Sequence, residues 1–221
     1  MEFKCSELKT WKEALTSYQS TINLLSSNKP DLVSLNNFYC TQLPSLLHSR
    51  LPEPYLIRSE LHTLMQWKLT RGKFRPRLLD FVASLDEELV KSASLKAFLA
   101  LPHDLSKAVL ELTALKGVGP ATASAVLAAY DPQVAPFMSD EAMVAVLGHS
   151  KDYSLKQYLL LADKLREKAK ELSSEDEQFT ASDVERALWS SAVGAKLTAT
   201  SAKEGQVTSK KSCGRKRKKS S

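Results

Sequence analysis

The sequence is poor in the residues that hold metals and disulfides. Its 221 residues include 3 cysteines and 4 histidines, and none of them has the spacing of zinc or iron–sulfur ligands. We therefore expect no metal and no cofactor. The thiols of Cys5, Cys40 and Cys213 are expected to be reduced, as in intracellular proteins.

Long apolar runs are also missing. No stretch approaches the roughly 20 apolar residues that a membrane-spanning helix needs. The first residues include Glu2 and Lys4 and contain no continuous apolar segment, which argues against a signal peptide. We expect a soluble monomer with no membrane partner.

Strand-like alternation of apolar and polar residues is absent, whereas apolar residues recur at helical spacing along most of the chain. The first helix carries Leu8, Trp11, Leu15 and Tyr18 on one face, and later segments repeat this pattern as far as Leu197. The pattern predicts an all-α fold of many helices for residues 1–197.

Residues typical of helix ends mark several boundaries. Asp104 is placed to cap a helix, and Ser182 and Glu185 have the spacing of a capping box. Gly72 is expected to end another helix in the left-handed conformation.

The net charge of +6 is concentrated at the C-terminal end. From Ser201 onward, eight lysines and arginines accompany the single acid Glu204, so the remaining chain is close to neutral. Because residues 198–221 have almost no large apolar side chain, we expect this segment to be disordered. Its composition is typical of a nuclear localisation signal read by an import receptor, or of a nonspecific nucleic-acid arm. A nuclear location is expected from Lys210, Lys211, Arg215, Lys216, Arg217, Lys218 and Lys219.

The most informative stretch is LKGVGPATASAVLAAY, residues 115–130. Each of the two helices that flank the glycine turn has one apolar face. Glycine removes the side chains that would keep a phosphate away, and the amides that begin the second helix favour an anion. Such contacts position nucleic acid without reading its sequence. The alternative is that the turn only connects two helices. The predicted DNA contacts are Lys116, Gly117, Val118, Gly119, Ala121 and Thr122.

This stretch resembles the helix-hairpin-helix signature, in which an apolar residue precedes GVG and a Thr-Ala pair, here Thr122 and Ala123, opens the second helix. The following segment, DPQVAPFMSDEAM, is similar to the loop and aspartate of endonuclease III-like DNA glycosylases. The resemblance extends from about Asp104 to Leu147. It implies a multi-helix DNA-glycosylase-like fold and places Asp140 where the family has its catalytic aspartate.

In that family the aspartate is thought to stabilise the cationic sugar that develops as the base leaves, and to help activate water. Asp140 is equally suited to cap the helix that follows it, and the two roles are compatible. Bifunctional members of the family have a lysine where this sequence has Ala121, and the amine of that lysine forms a Schiff base. The resemblance therefore implies a monofunctional glycosylase that uses water and has no lyase activity.

A second basic cluster occupies WKLTRGKFRPRLL, residues 67–79. Its cations, with Trp67 and Phe74 among them, are suited to bind phosphates and to stack on an exposed base. The alternative is a solvated helix end, where the helix dipole attracts lysine and arginine. The predicted phosphate contacts are Lys68, Arg71, Lys73, Arg75 and Arg77.

Three functions follow from these observations. The leading interpretation is a DNA glycosylase-like protein that binds duplex DNA through its phosphates, extrudes a damaged or mismatched nucleotide and cleaves the base–sugar bond with Asp140. The second is a nonenzymatic nuclear DNA-binding or scaffold protein that keeps the hairpin. The third is a helical protein-interaction module in which the GVG turn is only structural.

Overall fold

All the secondary structure is helical in residues 1–148, 152–175 and 177–212, the ranges that the computed structural model describes. The prediction of an all-α fold is thus confirmed. A π-helical segment, Phe38–Gln42, joins the second and third helices. The helices are α1 (Leu8–Ser26), α2 (Leu32–Asn37), α3 (Leu43–Ser49), α4 (Arg58–Arg71), α5 (Arg77–Ala83), α6 (Glu87–Ala100), α7 (Leu105–Thr113), α8 (Pro120–Tyr130), α9 (Asp140–Leu147), α10 (Leu155–Leu172) and α11 (Ala181–Ser212).

The main core is built around α8. This helix packs against α3, α4, α6, α7 and α10, and its residues from Thr122 to Ala129 are all buried. The sequence predicts a single buried face for α8, which is wrong. The helix α8 is rich in alanine and also contains Ser124. Such small side chains let neighbouring helices approach it from several directions, so it is buried on more than one face.

The first and last helices pack against each other along one side of the molecule. Tyr18 and Ile22 of α1 meet Trp189 and Val193 of α11 in a second apolar cluster. The predicted apolar face of α1 is confirmed here, since Trp11 and Tyr18 are buried. None of the helices in the described ranges is long and apolar enough to cross a membrane.

The end of α11 differs from the expectation for the tail. Its backbone is helical to Ser212, whereas the sequence predicts disorder from residue 198. Alanine, lysine and glutamate, which occur in residues 199–204, have high intrinsic helix propensities. Lys210 and Lys211 lie in the last turn of α11, whereas five cations of the predicted localisation signal lie outside the described residues: Arg215, Lys216, Arg217, Lys218 and Lys219.

Two predicted helix boundaries are corrected in detail. Gly72 follows α4 as expected, but its φ of −109° is not left-handed. The capping box of α11 uses Thr180 and Asp183, whose side chains each accept the other's backbone amide at 3.0 Å. Glu185 is instead buried. The predicted cap of α7 is confirmed, because Asp104 Oδ1 accepts the Lys107 amide at 2.9 Å.

Candidate functional site

A cleft of about 690 Å³ brings together three segments that the sequence singles out. One wall is the end of α4 and the loop after it, another is the turn before α8, and the third is the start of α9. Among the predicted site residues, those that line the cleft are Lys68, Arg71, Lys73, Arg75, Gly117, Gly119, Ala121, Thr122 and Asp140, whereas Lys116, Val118 and Arg77 lie outside its lining.

The turn between α7 and α8 requires glycine at position 117. Gly117 has a φ of +87°, in the region that favours glycine. A Cβ at this position would also lie 2.7 Å from the Cβ of Phe81, which is too close for any real contact. Gly117 is therefore demanded by the fold, independently of any ligand.

Gly119 has no such structural reason to be glycine. Its φ of −99° is open to any residue, and a Cβ there would meet no atom within 4 Å. Gly119 is exposed on the cleft wall. A side chain at this position would project into open space, so the absence of one leaves the backbone accessible.

Two amides at the start of α8 lack an acceptor in the part of the chain that the structure describes. The amides of Thr122 and Ala123 both donate to the Gly119 carbonyl at 2.9 Å, and that of Val118 donates to Leu115. By contrast, the Gly119 and Ala121 amides donate no hydrogen bond to described residues. Such free amides, with the helix dipole behind them, favour an anion.

The side chains of the turn contribute less than its backbone. Val118 and Thr122 are buried, so their side chains are not presented to a ligand. Lys116 is exposed, and its Nζ lies 5.0 Å from the centre of the Phe81 ring. Of these three predicted contacts, only Lys116 presents a polar side-chain group at the surface.

A buried hydrogen bond connects α8 to the segment that leads to Asp140. The backbone amide of Met138 donates to Ser124 Oγ of α8 at 2.9 Å. Phe137 and Met138 are themselves buried in the core. The start of α9 is therefore held in a fixed place relative to the turn, even though the connecting segment has no regular secondary structure.

Asp140 is the first residue of α9 and does not cap it. Ser139 is the cap, because its Oγ accepts the Ala142 amide at 3.3 Å. The interpretation of Asp140 as an N-cap is therefore wrong by one residue. Its carboxylate faces the cleft, where Oδ1 accepts a hydrogen bond of 2.5 Å from the hydroxyl of Tyr153.

Tyr153 is a site residue that the sequence did not reveal. Burial, together with the hydrogen bond to Asp140, raises the pKa of its hydroxyl to about 12, and the guanidinium of Arg75 opposes this. The guanidinium carbon of Arg75 lies 5.8 Å from the centre of the Tyr153 ring. The hydroxyl therefore stays protonated at neutral pH and donates to the carboxylate.

Arg71 is removed from the predicted set of phosphate contacts. Its side chain is buried and makes an ion pair of 3.1 Å with Glu185 of α11. The guanidinium also lies 4.2 Å from the centre of the Trp189 ring. A buried guanidinium that is already paired with a carboxylate is not offered to a phosphate, so this prediction is corrected. Lys73, Arg75 and Arg77 are exposed.

The two aromatic residues of the basic stretch have opposite surroundings. Trp67 is buried, stacks on Tyr39 at 3.4 Å between ring centres, and donates its indole N–H to Asn36. The expectation that Trp67 stacks on an exposed base is wrong, because its side chain belongs to the core. Phe74 is 67% exposed and sits between two exposed cations, so it alone remains available for stacking.

Lys68 is half-buried in the last turn of α4 and lines the cleft. Burial, and then the nearby charge of Arg75, lower the pKa of its ammonium to about 8, against the opposing effect of Asp140. Within the described ranges, its Nζ makes no hydrogen bond and no salt bridge. The cleft thus holds a carboxylate and a poorly solvated amine.

Comparison with protein-family models, with curated proteins and with solved structures finds no match for this chain. Its function is therefore inferred from the cleft itself: from the amides of the turn, the exposed cations and the Asp140 carboxylate that line it.

Proposed function

We propose that this chain is a DNA-binding protein of the helix-hairpin-helix glycosylase type, and that its cleft hydrolyses the bond between a damaged or mismatched base and its sugar. One observation carries the proposal. The free amides of the glycine turn and the carboxylate of Asp140 line the same cleft. A DNA strand whose phosphate is bound by the amides would therefore bring a sugar close to the carboxylate.

The rim of the cleft is suited to the phosphate backbone. The amides of Gly119 and Ala121 would donate hydrogen bonds to one phosphate at the start of α8, and the exposed cations Lys73 and Arg75 would bind neighbouring phosphates. These contacts place a duplex without reading its sequence. Recognition of the base would then fall to the interior of the cleft.

The size of the cleft is compatible with an extruded nucleotide. Its volume of about 690 Å³ lies within the roughly 300–1,000 Å³ of small-molecule sites. Because the reactive bond of a stacked base is inaccessible, the nucleotide must leave the helix before chemistry. Phe74, exposed on the loop after α4, is suited to occupy the space that the nucleotide vacates.

The chemistry assigned to Asp140 is electrostatic. As the base departs, positive charge develops on the sugar, and a carboxylate held in a partly dry cleft lowers the energy of that state. The hydrogen bond from Tyr153 fixes the carboxylate in one orientation. Because Ala121 offers no nucleophile at the hairpin, water would attack the sugar, as expected of a monofunctional enzyme.

A nonenzymatic DNA-binding or scaffold protein is the second candidate, and the residue that favours it is Ala121. A protein that only binds DNA would need the glycine turn but not the lysine that bifunctional glycosylases have at this position of the hairpin. In both cases we propose a monomer located in the nucleus, brought there by an import receptor that reads the basic tail.

A substrate panel tests the proposal. Labelled duplexes that contain uracil, alkylated bases or mismatches are incubated with the wild-type chain, and abasic sites are revealed by alkaline cleavage. We expect release of at least one base, and a loss of about 100-fold or more in Asp140→Asn, with DNA affinity unchanged. Glu167→Gln, an exposed carboxylate of α10, is the matched control.

Two results would decide against the enzyme. If the wild type and Asp140→Asn release every base equally poorly but both bind duplex DNA, the scaffold function replaces the catalytic one. If the wild type does not bind DNA at all, both DNA-directed functions fail and the protein-interaction module remains.

A further inference from the structure

The surroundings of Lys68 differ from those of two other lysines that are buried or half-buried, Lys168 and Lys29. Lys168 is buried and forms an ion pair of 2.6 Å with Glu171, and Lys29 donates to the carbonyl of Thr70 at 2.5 Å. Each of these two ammonium groups is held by an acceptor. In the described part of the chain, Lys68 lacks any such hydrogen bond or ion pair.

The placement of Lys68 is costly for the fold alone. Partial desolvation and a neighbouring cation both destabilise the charged ammonium, and among the described residues no hydrogen-bond acceptor or carboxylate in contact with it offsets this cost. A structural role would be better served by methionine or leucine, which fill the same volume without a charge. The side chain also lines the cleft shared with Asp140, so its unpaired amine is presented to whatever enters.

We propose that Lys68 Nζ is a nucleophile that attacks the C1′ aldehyde of an abasic deoxyribose in the cleft and forms a Schiff base, which gives the protein a strand-cleaving lyase activity. This inference rests on the proposed entry of abasic DNA into the cleft. It departs from the expectation of no lyase activity, which follows from Ala121 alone.

The reaction balances without an oxidant or a reductant. The nitrogen of the neutral amine bonds to C1′, and the carbonyl oxygen leaves as water together with two protons of the amine. Protonation of the imine then acidifies C2′, whose proton passes to the carboxylate of Asp140. The electron pair released at C2′ forms a double bond as the C3′–O bond breaks, and the 3′ phosphate leaves. Water hydrolyses the imine and regenerates the amine.

The surroundings of Lys68 match this chemistry. A nucleophilic amine must be partly deprotonated near neutral pH, and lysines reach that state by desolvation or by a neighbouring cation. Both causes act on Lys68, from burial and from Arg75. The amine comes from α4, across the cleft from the hairpin, so this step does not depend on the residue at position 121.

Reductive trapping tests the inference. The full chain is incubated with a duplex that carries one preformed abasic site, in the presence of sodium cyanoborohydride, which reduces an imine to a stable amine. We expect a covalent protein–DNA adduct that maps by mass spectrometry to Lys68. In Lys68→Gln and Lys68→Arg the adduct should fall at least tenfold, whereas Lys96→Gln, at an exposed lysine of α6, should trap like the wild type.

Mapping is needed because other amines can also react with an aldehyde. The N-terminal amine donates to Ser191 Oγ, and the tail is rich in lysine. An adduct that maps to either of these, or that persists undiminished in Lys68→Gln, overturns the proposal. Because mapping uses the wild-type chain, this result does not depend on the folding of a variant.

A binding measurement separates this inference from the proposed function. The same duplex with a tetrahydrofuran in place of the abasic sugar has no aldehyde, so it reports binding alone. If the wild type binds it but forms no adduct with the abasic duplex, only the assignment of Lys68 is wrong. If the wild type does not bind it, the proposed function fails and the inference fails with it.

Discussion

The guanidinium of Arg71 and the carboxylate of Glu185 form an ion pair of 3.1 Å in which both side chains are almost completely buried. The pair joins the end of α4 to the first turns of α11. The guanidinium carbon lies 4.2–5.3 Å from the ring centres of Trp67, Trp189 and Phe137. A residue that reads in the sequence as a phosphate contact is thus a structural link between distant helices.

We predict that breaking this pair from one side is strongly destabilising. Arg71→Met should lower the free energy of unfolding by about 3–5 kcal/mol, because it leaves the charge of Glu185 buried without a partner. The double variant Arg71→Met/Glu185→Leu should lose less than the sum of the two single variants. Urea denaturation measures all three, and strictly additive losses would contradict the coupling.

The two glycines of the turn should respond in opposite ways. Gly117→Ala should destabilise the fold by about 1–3 kcal/mol, because of its positive φ and the contact with Phe81. Gly119→Leu should change stability by no more than about 0.5 kcal/mol, yet weaken duplex binding about tenfold by covering the free amides. Thermal melting and fluorescence anisotropy measure the two effects. Full DNA affinity in a folded Gly119→Leu protein would argue against phosphate binding at the turn.

The exposed cations of the basic loop should contribute to DNA binding through charge alone. Arg75→Gln should weaken binding to all duplexes alike and reduce the slope of log affinity against log salt by about 1, as expected for one lost phosphate contact. Lys96→Gln, which removes an exposed charge away from the cleft, should leave the slope unchanged. Equal effects of both variants would indicate nonspecific attraction to the whole surface.

Lys68→Met should make the protein more stable at neutral pH. The folded state lowers the pKa of Lys68 from 10.5 to about 8, so below pH 8 folding must place a charged ammonium in an unfavourable site. Allowing for partial exposure, the variant should gain about 1–2 kcal/mol there. The gain should shrink as the pH rises from about 8 toward 10.5, because the unfolded lysine then loses its proton as well.

Denaturation at pH 7, 9 and 10.5 measures this gain. Lys96→Met controls for the general effect of replacing a lysine by methionine. A gain that stays constant over this range would show that the ammonium of Lys68 is well solvated in the folded protein.

Helix periodicity predicts most of the helices, but it predicts neither all of their ends nor the π-helical segment Phe38–Gln42. The apolar spacing of α1 and the cap at Asp104 are local signals, and the structure confirms both. The cap of α11 was misplaced because Thr180 and Asp183 have the same spacing as Ser182 and Glu185. A capping motif alone does not say which of two overlapping positions starts the helix.

The predicted segments of the site lie together, but the surroundings of single residues were not readable from the sequence. Arg71 and Lys73 are similar cations in one basic stretch. Arg71 lies on α4 and forms a buried ion pair, whereas Lys73 lies on the loop after α4 and is exposed. The partner of Arg71 is 114 residues away. Tyr153 carries no motif, since its importance comes entirely from its hydrogen bond to Asp140.

The hydrogen bond between Ser124 and Met138 has a consequence for how this site can change over time. It links α8, with the glycine turn before it, to the segment that leads to the acidic residue at the start of α9, so these parts form one structural unit. Lys68 and the cations that follow it are inherited on a different stretch of chain. A descendant can therefore lose or gain the amine, and with it the lyase step, without disturbing the geometry that joins the turn to Asp140.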